Sequence, residues 1–98
     1  MKFTLKATDL FYEQLNTLDQ KTKLVVKQKI QLIETNPYRF KKLNWKKFKL
    51  FRVRINVSGK ASRLVYCVIE PEIILICFIE RKRRYKDLRR YMKNFLKK

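Results

Sequence analysis

The chain has 98 residues, a length that suits one domain with a moderate core and predicts a single domain over residues 1–98. Its 26 lysines and arginines stand against eight aspartates and glutamates, so the formal net charge is +18. Self-repulsion at this charge destabilises a compact chain, which indicates a polyanionic partner: nucleic acid, an anionic membrane surface or an acidic protein. The chain contains no histidine, which excludes histidine-based triads, histidine metal ligands and imidazole proton relays.

The two cysteines predict a reducing environment. Cys67 and Cys77 lie in apolar runs, 64–69 and 73–79, without a CxxC spacing, as is typical of buried core thiols. The N-terminal segment reaches acidic residues too early for a signal peptide. The run at 73–79 is far shorter than the roughly 20 apolar residues that a membrane-spanning helix needs. We therefore expect a soluble, cytoplasmic protein with no membrane partner.

Basic residues are concentrated after residue 34. Residues 1–34 carry six lysines and four acidic residues, a net charge of +2. Residues 35–69 carry ten basic residues and no acidic one, and residues 70–98 carry ten basic against four acidic, a net of +6. We therefore expect the partner surface to lie beyond residue 34, with the first third of the chain as scaffold.

The first third predicts one strand and two helices. Polar and apolar residues alternate over 2–7, which indicates a strand. Thr8 or Asp9 then caps a helix whose apolar residues recur at helical spacing. A second, longer helix is predicted from about Gln20 to Glu34, and Asn36-Pro37 ends it.

The remaining chain predicts three strands and a last helix. Residues 51–57 alternate strictly, and Ser58-Gly59 supplies a turn to a strand at 63–70. Another strand is predicted at 73–80, and apolar residues at helical spacing predict a terminal helix over 87–98. The order β-α-α-β-β-β-α indicates an α+β domain with an antiparallel sheet and the first two helices on one face.

The two predicted turns set a register between the strands. A two-residue turn at Ser58-Gly59 puts Arg54 opposite Arg63, and a second at 71–72 puts Glu80 opposite Arg63 as well. Arg52, Arg54, Arg63 and Glu80 would then share the sheet face away from the first two helices, an arrangement suited to phosphate. The alternative interpretation of Arg52 and Arg54 is a solvated edge strand whose charges oppose aggregation.

Other basic side chains predict contacts to an RNA backbone, and aromatic residues lie among them. The predicted RNA-binding residues are Lys41, Lys42, Lys46, Lys47, Lys49, Lys60, Lys82, Arg83 and Arg84. Phe40, Trp45 and Phe48 fit either base stacking or the lid of a core, and the core is the default role of Tyr91 because it lies on the apolar stripe of the last helix.

Several segments, taken in order, resemble the RelE/ParE superfamily of toxins. They are Asn36-Pro37 through Leu43, the strand Phe51-Arg52-Val53-Arg54-Ile55, the run Arg63-Leu64-Val65-Tyr66, and Glu80-Arg81 followed by Tyr85. The resemblance covers nearly the whole chain. It implies a toxin of a type II toxin–antitoxin pair, in which RelE-like members cleave mRNA on the ribosome and ParE-like members poison gyrase. It also implies an acidic antitoxin as partner in a toxin–antitoxin hetero-oligomer, besides mRNA and ribosomal RNA.

For the RelE branch the resemblance implies a catalytic set of Arg52, Arg54, Arg63, Arg81 and Tyr85. The reaction it implies needs no metal and no cofactor: the 2′-hydroxyl attacks the adjacent phosphodiester and leaves a cyclic phosphate and a 5′-hydroxyl. This chain has Glu80 where the family often has histidine, and arginine where it often has lysine. Arginine is a poor base, so Glu80 and Tyr85 are the predicted groups for proton transfer. A gyrase-poisoning toxin and a non-catalytic RNA-binding domain remain the alternatives.

Overall fold

A computed structural model of the chain describes residues 2–80 and 86–96. Its elements, in chain order, are β1 (Thr4–Ala7), α1 (Asp9–Asn16), α2 (Gln20–Thr35), β2 (Lys41–Leu43), β3 (Lys49–Val57), β4 (Lys60–Ile69), β5 (Glu72–Glu80) and α3 (Lys86–Leu96). The predicted α+β class and the order of the predicted elements are confirmed, with β2 as an additional strand. Within the described residues, no helix is long and apolar enough to cross a membrane.

The five strands form one sheet in the order β1-β5-β4-β3-β2. Strands β3, β4 and β5 pair antiparallel, as predicted, and the additional β2 pairs antiparallel with β3. Strand β1 pairs parallel with β5, from Thr4 opposite Glu72 to Ala7 opposite Leu75. The sheet is therefore mixed rather than purely antiparallel. Nothing in the local pattern of residues 2–7 could predict this, because the strand pairs with a segment almost seventy residues away.

Both N-terminal helices begin at a polar cap. The Thr8 hydroxyl accepts a hydrogen bond from the Phe11 backbone N–H at 3.1 Å, and the Asp19 carboxylate accepts one from Thr22 N–H at 2.7 Å. Hydrogen bonds from the side chain and backbone of Thr22 lower the pKa of Asp19. The two helices thus start where the sequence predicts, because each cap satisfies an N–H that has no partner within its helix.

The sheet separates two apolar cores. On one face α1 and α2 pack on alternate residues of the central strands, including Phe51, Val53, Leu64 and Tyr66. On the other face α3 packs on the residues in between. That second core includes Leu50, Val65, Cys67, Cys77 and Ile79 of the sheet, with Leu88 and Met92 of α3. We call these sides the α1/α2 face and the α3 face.

Candidate nucleic-acid interface

The β3–β4 hairpin turns at Ser58 and Gly59. Both residues have positive φ values, 50° and 78°, which is the geometry of the tightest hairpin turns. Val57 pairs with Lys60, Arg54 with Arg63 and Arg52 with Val65. The register predicted from the sequence for this hairpin is confirmed, because a two-residue turn determines the pairing of every residue behind it.

Four basic side chains project from neighbouring positions on the α3 face. Arg54 and Arg63 are directly opposite each other, and Lys41 of β2 is directly opposite Arg52. Directly opposed residues have Cβ atoms about 5 Å apart. We call Lys41, Arg52, Arg54 and Arg63 the basic cluster. Like charges opposed in this way destabilise a sheet, and guanidinium groups at neighbouring positions are complementary to a phosphate.

Burial differs across the basic cluster. Arg52 is only 7% exposed, whereas Arg54 and Lys41 are exposed and Arg63 is half-buried. The interpretation of Arg52 as a solvated charge on an edge strand is therefore wrong. Strand β2 pairs with β3 at this point, with Lys41 opposite Arg52, so Arg52 lies on an inner strand of the sheet rather than at its edge. The three-residue β2 is too short to show a periodicity, which is why the sequence did not reveal it.

Glu80 does not join the arginines, contrary to prediction. The β4–β5 turn lies at Glu70-Pro71, and Ile69 pairs with Glu72. This shift from the predicted turn moves the pairing by two residues, which by itself leaves every side chain on its predicted face.

A β-bulge further along β5 moves the Glu80 side chain to the other face of the sheet. Val65 pairs with Cys77 but Tyr66 pairs with Leu75, so Ile76 is an extra residue. An extra residue moves all later side chains of its strand to the opposite face. Glu80 therefore lies opposite Ser62, on the α1/α2 face, with its carboxylate 3.9 Å from Lys60 Nζ.

The other predicted RNA-binding residues are distributed over several surfaces. Lys42 lies opposite Phe51 and so belongs to the α1/α2 face, and Lys46 and Lys47 are exposed in the β2–β3 loop. Lys49 holds its ammonium 5.8 Å from the centre of the Tyr38 ring. A further group of predicted site residues lies outside the described residues: Arg81, Lys82, Arg83, Arg84 and Tyr85.

The aromatic residues in and around the β2–β3 loop, and Tyr91 of α3, pack against the two cores. Trp45 and Phe48 pack partly buried against the second core, as does Tyr91 of α3. Phe40 packs against the first core. These contacts favour the lid interpretation over base stacking for Phe40, Trp45 and Phe48, and they agree with the core role predicted for Tyr91.

Metal ligands are a separate question. Among the described residues, no three side chains of the cysteine, aspartate or glutamate type lie close enough together to hold a metal ion. The basic cluster on the α3 face offers cations and hydrogen-bond donors that suit a phosphate.

A mixed five-stranded sheet with a helix pair on one face and a basic cluster on the other defines a small α+β domain. The same fold occurs in solved toxin structures. An E. coli RelE toxin with two arginine-to-alanine substitutions, in the free state, superimposes with a TM-score of 0.69 over 92% of this chain and 98% of its own, at 18% identity. The chain therefore has the fold of the RelE toxins.

Two further neighbours are complexes. The intact E. coli RelBE toxin–antitoxin complex matches with a TM-score of 0.65 at 17% identity, over 82% of this chain and 96% of the other. The archaeal RelE-RelB complex from Pyrococcus horikoshii OT3 matches with a TM-score of 0.62 at 19% identity, over 85% and 99%. No protein-family model and no curated protein sequence matches the chain.

Proposed function

We propose that the protein is a RelE-type toxin: a metal-independent endoribonuclease that cleaves mRNA on the ribosome and is neutralised by an acidic antitoxin. The observation that carries this proposal is the direct opposition of Arg54 and Arg63 beside Arg52 and Lys41. The RelE-like fold supports the same conclusion.

The basic cluster supplies the electrostatic part of the reaction. When the 2′-hydroxyl oxygen attacks phosphorus, negative charge builds on the two non-bridging oxygens and then on the leaving 5′ oxygen. Guanidinium groups stabilise that charge through paired N–H donors, an effect that in other enzymes amounts to about 3 kcal/mol for a single donor. Arg54 and Arg63 are accessible enough to touch the phosphate, and we assign Arg52 the role of holding positive charge beneath it.

Two proton transfers complete the reaction. A base takes the proton of the 2′-hydroxyl, and an acid donates one to the leaving 5′ oxygen, so that the products are a 2′,3′-cyclic phosphate and a 5′-hydroxyl. Glu80 lies on the opposite sheet face and is withdrawn from these roles. An ammonium group can act as a proton donor, whereas a guanidinium group stays protonated, and Lys41 brings an ammonium group to the basic cluster, opposite Arg52. We therefore propose Lys41 and Tyr85 as the proton-transfer groups.

The test of the proposed function is cleavage of RNA. The purified protein is added to translating ribosomes, and the mRNA is mapped for breaks with 5′-hydroxyl ends; free RNA with EDTA is tested in parallel. We expect breaks with the intact protein, and at least about a hundredfold fewer with Arg63→Ala or Tyr85→Phe. Intact RNA under both conditions would contradict the proposal.

Lys41 and Lys42 offer a matched pair of variants. They are adjacent, both exposed and equally charged, but they lie on opposite faces of the sheet. Lys41→Ala should slow cleavage by about a hundredfold or more, whereas Lys42→Ala should change it by less than about threefold. Equal effects of the two variants would remove Lys41 from the reaction and leave only general charge attraction.

The two alternative functions give different results in the same preparation. A non-catalytic RNA-binding domain would bind RNA with a steep salt dependence and leave it whole. A gyrase-poisoning toxin would inhibit supercoiling without breaking RNA.

Co-expression with the product of a neighbouring reading frame that encodes a short acidic protein should restore growth and raise the melting temperature of the toxin.

A further inference from the structure

On the β5 side of the sheet, a planar side-chain amide pairs with the strand backbone. Strand β1 ends at Ala7, opposite Leu75, and further along β5 the Gln14 side chain of α1 reaches Phe78. Its Nε2 donates to the Phe78 carbonyl and its Oε1 accepts from the Phe78 N–H, at 3.1 and 2.7 Å. A flat group that carries a donor beside an acceptor can therefore satisfy the N–H and the C=O that one strand residue directs outwards.

The β3 side of the sheet has an open segment next to its turn. Strand β2 reaches no further than Arg52, whereas β3 continues to Val57. The pair next to a two-residue turn, here Val57 with Lys60, is hydrogen-bonded, and hydrogen-bonded pairs alternate along the hairpin. The backbone N–H and C=O groups of Arg54 and Asn56 therefore point away from β4, where no strand of the described residues pairs with them.

A cavity of about 790 Å³ adjoins this open segment. Residues 54–56 and the turn form one wall, and the N-terminal half of α2 forms the other. Val25 and Ile55 give the cavity an apolar patch, and Asn56 brings its outward backbone groups to the same wall. Apolar surface beside a backbone donor and acceptor suits a flat heterocyclic base, which needs both a face to pack on and an edge to pair with.

Positive charge prevails in the lining of the cavity. Lys21 and Lys29 of α2 line it together with Arg54, and neither lysine forms a salt bridge with another described residue. The carboxylate in the lining, Asp19, accepts a hydrogen bond from Thr22 N–H at the start of α2. A polyanion that leaves the basic cluster past Arg54 therefore meets two further cations.

We propose that this cavity binds one nucleotide of the RNA that the basic cluster holds. The base lies in the plane of the sheet and pairs with the N–H and C=O of Asn56, as the Gln14 amide pairs with those of Phe78. One face of the base packs on Val25. Each of the four bases carries a donor beside an acceptor on its Watson–Crick edge, so this pairing anchors the RNA without selecting a base.

The phosphates of the RNA connect this site to the basic cluster. Arg54 lines the cavity and also lies opposite Arg63, so it contacts the phosphate between the two sites. Lys21 and Lys29 contact the phosphates beyond the bound nucleotide. The inference rests on the proposed function because it extends the RNA-binding surface, but the site does not require that the RNA be cleaved.

The first test compares two ligands of equal charge by amide hydrogen exchange, followed by NMR on the full chain. One is 2′-O-methyl hexauridylate, which lacks the attacking hydroxyl, and the other is the same backbone without bases. Hexauridylate should slow exchange of the Asn56 amide by about tenfold or more, whereas the abasic hexamer should leave it unchanged. The Phe78 amide, bonded to Gln14, is the internal control. Equal protection of Asn56 by the two ligands, or protection by neither, would overturn the proposal.

Asn56→Pro and Asn56→Ala form a matched pair of variants. Proline removes the N–H that the base needs, at a position where that N–H points away from β4, whereas alanine keeps it. Asn56→Pro should weaken binding of hexauridylate by about fivefold to tenfold, and Asn56→Ala by less than about twofold. Equal affinities of the two variants for hexauridylate would contradict the pairing. A proline variant that also loses the abasic hexamer is misfolded, and the exchange experiment then decides.

Paired substitutions on α2 test the phosphate contacts. Each contact to a single strand contributes about 0.7 to the slope of log affinity against log salt concentration. Lys21→Gln/Lys29→Gln should therefore lower the slope for hexauridylate by about 1.4. The matched variant Lys23→Gln/Lys27→Gln removes the same charge from the groove between α1 and α2 and should leave the slope unchanged. Equal slopes for the two double variants would overturn the proposal.

The cleavage test on ribosomes is independent of these measurements, because the methylated hexamer cannot be cleaved by attack of its own 2′ oxygen. Breaks in mRNA without protection of Asn56 by hexauridylate would leave the proposed function standing and refute the nucleotide site. Protection of Asn56 without breaks in mRNA would support the nucleotide site and refute the cleavage function.

Discussion

The side chain of Gln14 pairs with the backbone of Phe78 as another strand would. Its Nε2 donates to the Phe78 carbonyl at 3.1 Å, and its Oε1 accepts from the Phe78 N–H at 2.7 Å. The amide group of this α1 side chain thereby pairs with both the N–H and the C=O of Phe78, a residue of β5 that lies 64 residues further along the chain. The helix is fixed to the sheet by hydrogen bonds as well as by the stacking of Phe11 on Phe78.

Gln14→Ala should therefore destabilise the fold. Two hydrogen bonds are lost and a partly buried N–H and C=O lose their partners, which we expect to cost about 2 kcal/mol of the free energy of unfolding. Urea denaturation measures the change. Gln28→Ala, at an exposed position of α2, is the control and should stay within about 0.5 kcal/mol of the parent. Equal stability of the two variants would show that water replaces the Gln14 amide without cost.

Thr8→Ala should also reduce stability, because one hydroxyl serves two elements. It accepts from Phe11 N–H as the cap of α1 and donates to the Ile76 carbonyl beside β5. We expect a loss of about 1–2 kcal/mol, and recovery of most of it in Thr8→Ser, which keeps the hydroxyl. Thermal unfolding of both variants is the measurement. A Thr8→Ser protein as unstable as Thr8→Ala would assign the effect to the lost methyl group instead.

Arg54→Gln should raise the free energy of unfolding and weaken RNA binding. The substitution removes the repulsion between Arg54 and Arg63, so we expect the free energy of unfolding to rise by about 0.5 kcal/mol at low salt. The gain should shrink in 0.5 M salt, where the Debye length is only a few ångströms. RNA binding should weaken at the same time. Lys27→Gln on α2 makes the same charge change away from the cluster; a similar gain from it would point to overall net charge as the cause.

The buried Cys67 thiol should make stability depend on pH in the alkaline range. Burial, with a smaller contribution from Glu72, raises its pKa from 9.0 to about 12. Above pH 9 the unfolded chain therefore loses this proton while the folded chain keeps it, so the free energy of unfolding should fall as the pH rises from 9 towards 12 and should be unaffected below 9. Urea titrations at pH 8 to 10.5 measure the slope, which should be smaller in Cys67→Ala. The same dependence of the free energy of unfolding on pH in the parent and in Cys67→Ala would show that the Cys67 thiol is not its cause.

Much of the candidate site could be predicted from the sequence because it depends on local rules. The period of two in residues 51–57 puts Arg52 and Arg54 on one face, and the turn at Ser58-Gly59 then brings Arg63 opposite Arg54. Lys21 and Lys29 line one cavity together with the β3 edge, a shared position that the sequence could not reveal because a lysine on a helix surface has no distinguishing local signal.

The sequence by itself determined every helix and strand except β2, the helix caps and the first hairpin register, because each depends on hydrogen bonds and steric contacts between residues close in the chain. Only the tertiary structure decided that β1 joins β5 in parallel, that β2 pairs with β3 beside Arg52, and that the bulge at Ile76 turns Glu80 away from the arginines. These outcomes depend on packing between segments that are distant in sequence. The α3 face is consequently left with Lys41 beside Arg52, Arg54 and Arg63.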